Sequence, residues 1–439
     1  MEIKRMKCTI EALVLSGELR VASDTDKNMF DRIKNIEISF EDHMKIKDYI
    51  KFIGVNNEFC KIINLFKVPD GEIPAGFKPE FVYGKDSSIR INLKRDISYA
   101  ANGVKRPTNV LFSANSANPY EVATMKDHIA SLTTNPQLIY ERFINNPKAN
   151  IDNQFKDRYE VLEELCKIVG PGVDISVEVN NPFADENVIF EEIARFEEIL
   201  TPYRLVAKIP HTGPLNSTNV KDFIDNNYNI SYDKGNAADC FRGHNLAYKL
   251  SEKGYRVNFT LMFEPYQTAL ALQAKPYFIN TFVEKRYSNS LGIKTLLEKI
   301  DETGDNSYRD ELRDFMISED IIAPKDANST YAEEKARNLL AFRSLDTSEG
   351  YDGLDSVRHS LRVLRQSNLP ETRLILCNMK SAKTYMDIDK LLMQPEFADM
   401  SQRVIITCEP EYFAQFTSSP FVYTYQRAFL NSVKGMLMV

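Results

Sequence analysis

No run of about 18 or more uncharged apolar residues occurs in the sequence, so no membrane span is expected. The N-terminal "MEIKRMKCTIEALVLSG" has basic residues but no long apolar segment before a small-residue cleavage site, so no secretory leader is expected either. The six cysteines, Cys8, Cys60, Cys166, Cys240, Cys377 and Cys408, are scattered and form no CxxC pair. Reduced, mostly buried thiols of a cytoplasmic protein are the simplest reading. The five histidines are scattered too, and no HExxH or similar spacing is present, so neither a metal nor a cofactor is expected. With a net charge of −7 the chain lacks the basic excess of a general nucleic-acid binder.

What is present is enough for one large domain and a smaller one: 439 residues, 43% of them apolar. Residues 1–105 alternate apolar with polar residues in "CTIEALVLSGELRVAS", "KNIEISFED" and "SSIRINLKRD", separated by turn signals such as "VPDGEIPAGFKPE". They predict a small β-rich N-terminal domain with a helix or two, and no motif in it carries recognisable chemistry. From residue 106 to 439 short apolar strands alternate with longer amphipathic segments. The strands are "NVLFSA", "ASLTT", "VDISVEV", "RLVAKI", "YRVNFTLMF", "PYFINTF", "TRLILCN" and "RVIITC". Eight strands, each followed by a helix-like segment, predict an α/β protein built on a (β/α)8 TIM barrel. In "NVIFEEIARFEEIL", Ile189, Ile193, Phe196 and Leu200 recur at helical spacing and leave Glu191, Glu192 and Glu198 outward. Residues of about 290–350 are charged and poorly periodic, and read as an insertion between the sixth and seventh barrel strands.

Side chains alternate faces along a strand, so parity sorts them. Val173, Ile175, Val177 and Val179 go outward, and Asp174, Ser176 and Glu178 inward. Val257, Phe259 and Leu261 share one face, Asn258 and Thr260 the other. Leu205, Ala207 and Ile209 oppose Val206 and Lys208. Asn378 and Lys380 share parity. Single Asn or Thr side chains in such positions usually complete a hydrogen-bond network in the barrel mouth. A lysine inside the fourth strand is different. Held for structure alone, it must find an anion or lose its proton.

These stretches resemble the transaldolase family, the Schiff-base-forming class I aldolases on a (β/α)8 barrel, well over residues 109–290 and loosely over 353–420. "SLTTNPQLIYERF" resembles the family's TTNP motif, "ISVEVNNP" its third-strand VSxEV motif, and "LVAKIPHT" the fourth-strand motif with the Schiff-base lysine. "VNFTLMFEPYQTALALQAKPYFINTFVEKR" resembles the fifth- and sixth-strand block. The resemblance implies that Lys208 attacks a ketose carbonyl, and that Glu178 and Thr260 hold a catalytic water and relay protons. It implies that Thr133, Asn135 and Asn258 hydrogen-bond the substrate. Glu178 and Phe282 look transaldolase-like, since the fructose-6-phosphate aldolase branch usually carries Gln and Tyr there. A lysine must be neutral to attack, and a dry barrel interior favours that state.

The departures bear on substrate. At the family's first-strand Asp, motif matching puts Asn115 and spacing to TTNP puts Ser113; neither ionises. Asn280 and Thr281 replace a Ser-Pro, Glu284, Lys285 and Arg286 replace a Gly-Arg, and Asn378, Met379 and Lys380 replace a Ser-x-Arg. A sugar phosphate is expected near Lys380, helped by Lys285 or Arg286, where a helix starting near Ser381 adds a partly positive N-terminus. Three functions compete: transfer of a dihydroxyacetone unit between sugar phosphates, in the manner of the pentose phosphate pathway; a class I aldolase acting on a different ketose; and a catalytically weak sugar-binding or scaffold barrel. The expected partner is a small sugar phosphate, with no nucleic acid and no membrane. Homo-oligomerisation stays open.

Overall fold

The computed structural model describes residues 7–84, 86–225, 234–326, 328–379 and 381–434. Six strands come first: β1 (Lys7–Thr9), β2 (Arg20–Val21), β3 (Glu37–Ser39), β4 (Phe52–Val55), β5 (Phe77–Tyr83) and β6 (Ser88–Arg95). β1 pairs with β3, and the other four form a sheet in the order β2-β4-β6-β5. Four helices accompany them, Ile10–Leu15, Lys27–Ile33, Phe40–Ile46 and Asn57–Phe66, more than the helix or two expected. The first of these runs through "IEALVL", which alternation assigns to a strand. Thr9 caps it, its side chain accepting from the Ala12 N–H, and Ile10 and Leu13 are buried one turn apart. Ser39 likewise caps Phe40–Ile46 through the Asp42 N–H. A cap satisfies a backbone donor that would otherwise be orphaned, so it overrides weak alternation.

Eight further strands close into a barrel in which every neighbouring pair is parallel. They are β7 (Leu111–Asn115), β8 (Ser131–Thr133), β9 (Asp174–Glu178), β10 (Leu205–Pro210), β11 (Arg256–Met262), β12 (Phe278–Phe282), β13 (Arg373–Cys377) and β14 (Val404–Cys408). All eight fall on the expected segments. Outward residues such as Ile175, Val177, Ala207, Ile209, Val257, Phe259 and Leu374 form the main core with the surrounding helices. Inward residues Leu111, Val206, Phe278, Ile375 and Ile405 form a second cluster, joined by Ile97 from the segment after β6. Ile97 thus plugs the N-terminal end of the barrel.

The N-terminal unit docks at that same end. Arg95 pairs with the inward carboxylate of Asp174, which Arg256 also holds at 2.7 Å. Arg373 reaches Asp96 at 3.1 Å, and the Ala75 N–H donates to the Pro171 carbonyl at 3.1 Å. Gly172 lies at φ +92°, and a Cβ there would sit 2.0 Å from the Ala75 carbonyl oxygen. Only glycine allows that approach.

Between β12 and β13, helices Glu284–Thr303, Asn306–Ser318 and Ser329–Arg343 share a core of their own around Ile293, Ile300, Leu312 and Met316. Three details differ from expectation. Leu261 does not share a face with Phe259: the strand bulges after Phe259, Leu261 takes φ +63° and is exposed, and Met262 fills the outer core instead. Glu192 is not outward: it is half-buried and accepts from Arg158 at 2.5 Å. All six cysteines are free, but only Cys377 and Cys408 are buried.

Candidate functional site

Following the Cα pairing from Lys208 through Asn258, Phe278 and Arg373, then on through β14, β7, β8 and β9, brings the register back to β10 at position 200, eight residues short. That is the shear of a (β/α)8 barrel, whose inward side chains stack in layers of four from alternate strands. A level layer therefore climbs one residue per strand. Lys208 shares its layer with Thr133, Asn280 and Thr407. The layer above, toward the C-terminal strand ends, holds Asn115, Glu178, Thr260 and Cys377. The layer below holds Ser113, Ser176, Asn258 and Ile375.

Lys208 is 4% exposed, and its Nζ lies 2.9 Å from Glu178 Oε2. The anion required by a buried lysine is therefore on the next strand. Asp174, the other inward carboxylate of β9, lies at the plugged end among its two arginines. Glu178 is braced from behind. Arg158, 1% exposed, donates to the Glu178 carbonyl at 2.8 Å and stacks over Phe196 at 4.6 Å. Burial pushes the Glu192 carboxyl up, and Arg158 opposes that shift. Sequence reading missed Arg158, which begins a helix and carries no motif.

Around the pair are neutral polar groups. Asn258 Nδ2 donates to Ser176 Oγ at 3.3 Å. Thr133 Oγ1, Thr260 Oγ1, Thr407 Oγ1, Asn258 Oδ1 and Asn280 Oδ1 are all buried without a partner among the described residues. Buried polar atoms are seldom left unpaired, so five on inward residues of this end of the barrel mark a binding chamber. Asn135 spends its Oδ1 on the Leu138 N–H at 2.8 Å. Its amide nitrogen makes no hydrogen bond among those described. Burial pushes the Cys377 thiol up, and the neighbouring Lys208 works the other way.

Thr260 is held through its backbone. Its carbonyl accepts from the His211 N–H at 3.1 Å and from His211 Nδ1 at 2.8 Å. The His211 ring stacks on Phe259 at 4.3 Å, with His244 edge-on. Burial pushes His211 down to about 4, with the Thr260 bond opposing and His244 adding to the shift.

Of the two residues at the position of the missing Asp, both face inward, and Asn115 is the one level with Glu178 and Thr260. Asn115 also lines a cavity of ≈170 Å³ with Glu121, Arg142 and Glu409. Phe282 stacks on Phe263 at 4.7 Å. The expected phosphate ligands are placed differently from the chamber residues. Arg286 is 3% exposed, gripped by Asp355 at 2.5 and 2.8 Å and by Glu264 at 3.0 Å. Glu264 is shared with Arg343 at 2.6 Å. Lys285 is paired with Glu319, and its N–H donates to Asn378 Oδ1 at 2.9 Å. The carboxylates that engage Arg286 lie 22 residues before and 69 after it, so no local pattern announced them. Lys380 lies outside the described residues.

The fold and the site together define a (β/α)8 barrel with one lysine–carboxylate pair among neutral hydroxyls and amides at its C-terminal end. Residues 114–307 match the model of the transaldolase/fructose-6-phosphate aldolase family. The matched span holds Asn115, Thr133, Asn135, Glu178, Lys208, Asn258, Thr260, Asn280, Phe282, Lys285 and Arg286. No curated protein matches the chain. Among the described residues no helix is long and apolar enough to cross a membrane.

Proposed function

We propose that this protein transfers a dihydroxyacetone unit between sugar phosphates through an imine on Lys208. The observation that carries the reading is the buried Lys208 Nζ at 2.9 Å from Glu178 Oε2, beneath Thr260 and level with Thr133 and Asn280. Glu178 takes a proton from Nζ, and the free amine adds to the ketose carbonyl. Loss of the carbonyl oxygen as water leaves the imine. Its positive nitrogen draws electrons from the adjacent C–C bond as the neighbouring hydroxyl gives up its proton. The aldehyde leaves, and the three-carbon enamine stays on Lys208 until an acceptor aldehyde adds and water releases the product. Glu178 and the Thr260 hydroxyl hold the water that carries these protons. Asn115 cannot ionise, so Glu178 serves both the imine and the C–C step.

A second reading, an aldolase of the same mechanism acting on a different ketose, is favoured by one observation. Arg286 and Lys285, expected to help Lys380 hold the phosphate, are engaged by Asp355, Glu264 and Glu319. Borohydride reduction with dihydroxyacetone should add the mass of dihydroxyacetone less one oxygen atom to the Lys208 peptide and leave Lys208→Ala unlabelled. Equal labelling of that variant refutes the imine. With a ketose phosphate donor, transfer to an aldose phosphate supports the first reading. Release of aldehyde without transfer supports the second.

A further inference from the structure

We infer that Thr407, on the last barrel strand, binds a hydroxyl of the ketose unit carried by Lys208. The inference rests on the imine reading above and adds to it a residue outside the family-matched span. Thr407 pairs in register with Ser113. It shares parity with Ile405, which lies in the inward cluster, while Val404 and Ile406 lie in the outer core. The shear places it in the layer of Lys208, four strands away and so directly across the barrel. It is 1% exposed, and its Oγ1 has no partner among the described residues.

A threonine hydroxyl sealed in a barrel without a partner costs stability that valine, of the same shape, would not. The other unpartnered members of this layer, Thr133 and Asn280, flank the lysine from β8 and β12. Thr407 closes the ring on the far side. A three-carbon ketone bound through its central carbon carries a hydroxymethyl group on either side. One of those hydroxyls, pointing away from the β10 wall, meets Thr407.

The test uses two donors that differ by one hydroxyl, dihydroxyacetone and hydroxyacetone, and reads the rate of borohydride trapping on Lys208 in the full chain. Wild type should trap dihydroxyacetone faster. A neutral hydrogen bond to substrate is worth roughly 3- to 10-fold, so Thr407→Val should cut trapping of dihydroxyacetone by about that factor. It should leave hydroxyacetone nearly unchanged and so flatten the preference. Thr407→Ser, which keeps the hydroxyl, should retain the preference. Equal losses for both donors in Thr407→Val, or an unchanged preference, overturn the role of Thr407 and leave the imine reading standing. Failure of wild type to trap either donor overturns both.

Discussion

Glu178→Gln exchanges one carboxylate oxygen for an amide nitrogen and changes almost nothing in size. At 2.9 Å the pair with Lys208 attracts with about 6 kcal/mol at an effective dielectric of about 20, before both ions are charged for their lost hydration. Lys208 is 4% exposed, so its ammonium would be left without an anion. Removing one partner of such a pair costs about 3–5 kcal/mol. Lys208→Met removes the other partner, and the double variant removes both. Urea unfolding of the four proteins should show that the double variant is more stable than the two single losses add up to. The expected coupling is about 1–3 kcal/mol. Turnover with a ketose phosphate should fall by roughly 10²-fold or more in Glu178→Gln, the scale for losing a general acid–base. Borohydride trapping on Lys208 should slow but not vanish, because the amine remains while the group that takes its proton is lost. Losses that add within about 0.5 kcal/mol would show that the two side chains do not act on each other. Unchanged turnover would remove Glu178 from the chemistry.

His211 is held neutral by burial, down to about 4 from 6.5, so between those values the unfolded chain binds the proton and the folded chain does not. Stability on its account is therefore complete above about pH 6.5 and is lost as pH falls toward 4, by on the order of 3 kcal/mol. Urea midpoints should fall less with acid in His211→Phe than in wild type, and parallel curves would sink this account. Gly172→Ala puts a Cβ against the Ala75 carbonyl at a positive φ and should destabilise the protein by more than about 1 kcal/mol. A denaturation curve unchanged from wild type would show that the docked loop shifts without cost.

The barrel was legible because each strand is a short apolar run between turns, and eight such runs admit few topologies. Lys208, Glu178, Asn258 and Thr260 were legible because strand parity is a local property. Parity failed at Leu261, where the strand bulges and the count slips by one. It also failed at "IEALVL", where a threonine cap decided for a helix. Charge was the least legible. Glu192 reads as an outward group and Arg286 as a phosphate ligand until Arg158 and Asp355, far away in sequence, are folded against them. Thr407 was within reach, since Ile405 and Thr407 share parity in "VIITC". Only the register of all eight strands shows that it is level with the lysine.

Among the described residues Ile97 closes the N-terminal end of the barrel and leaves the C-terminal end as the way in. Whatever reaches Lys208 enters from the C-terminal end, and whatever is released must go back the same way. In the proposed transfer, donor and acceptor would not pass through from opposite sides; the aldehyde left by the donor would have to clear the opening before the acceptor took its place. For that reaction the architecture would impose the order of events, with the acceptor and the first product as rivals for one passage.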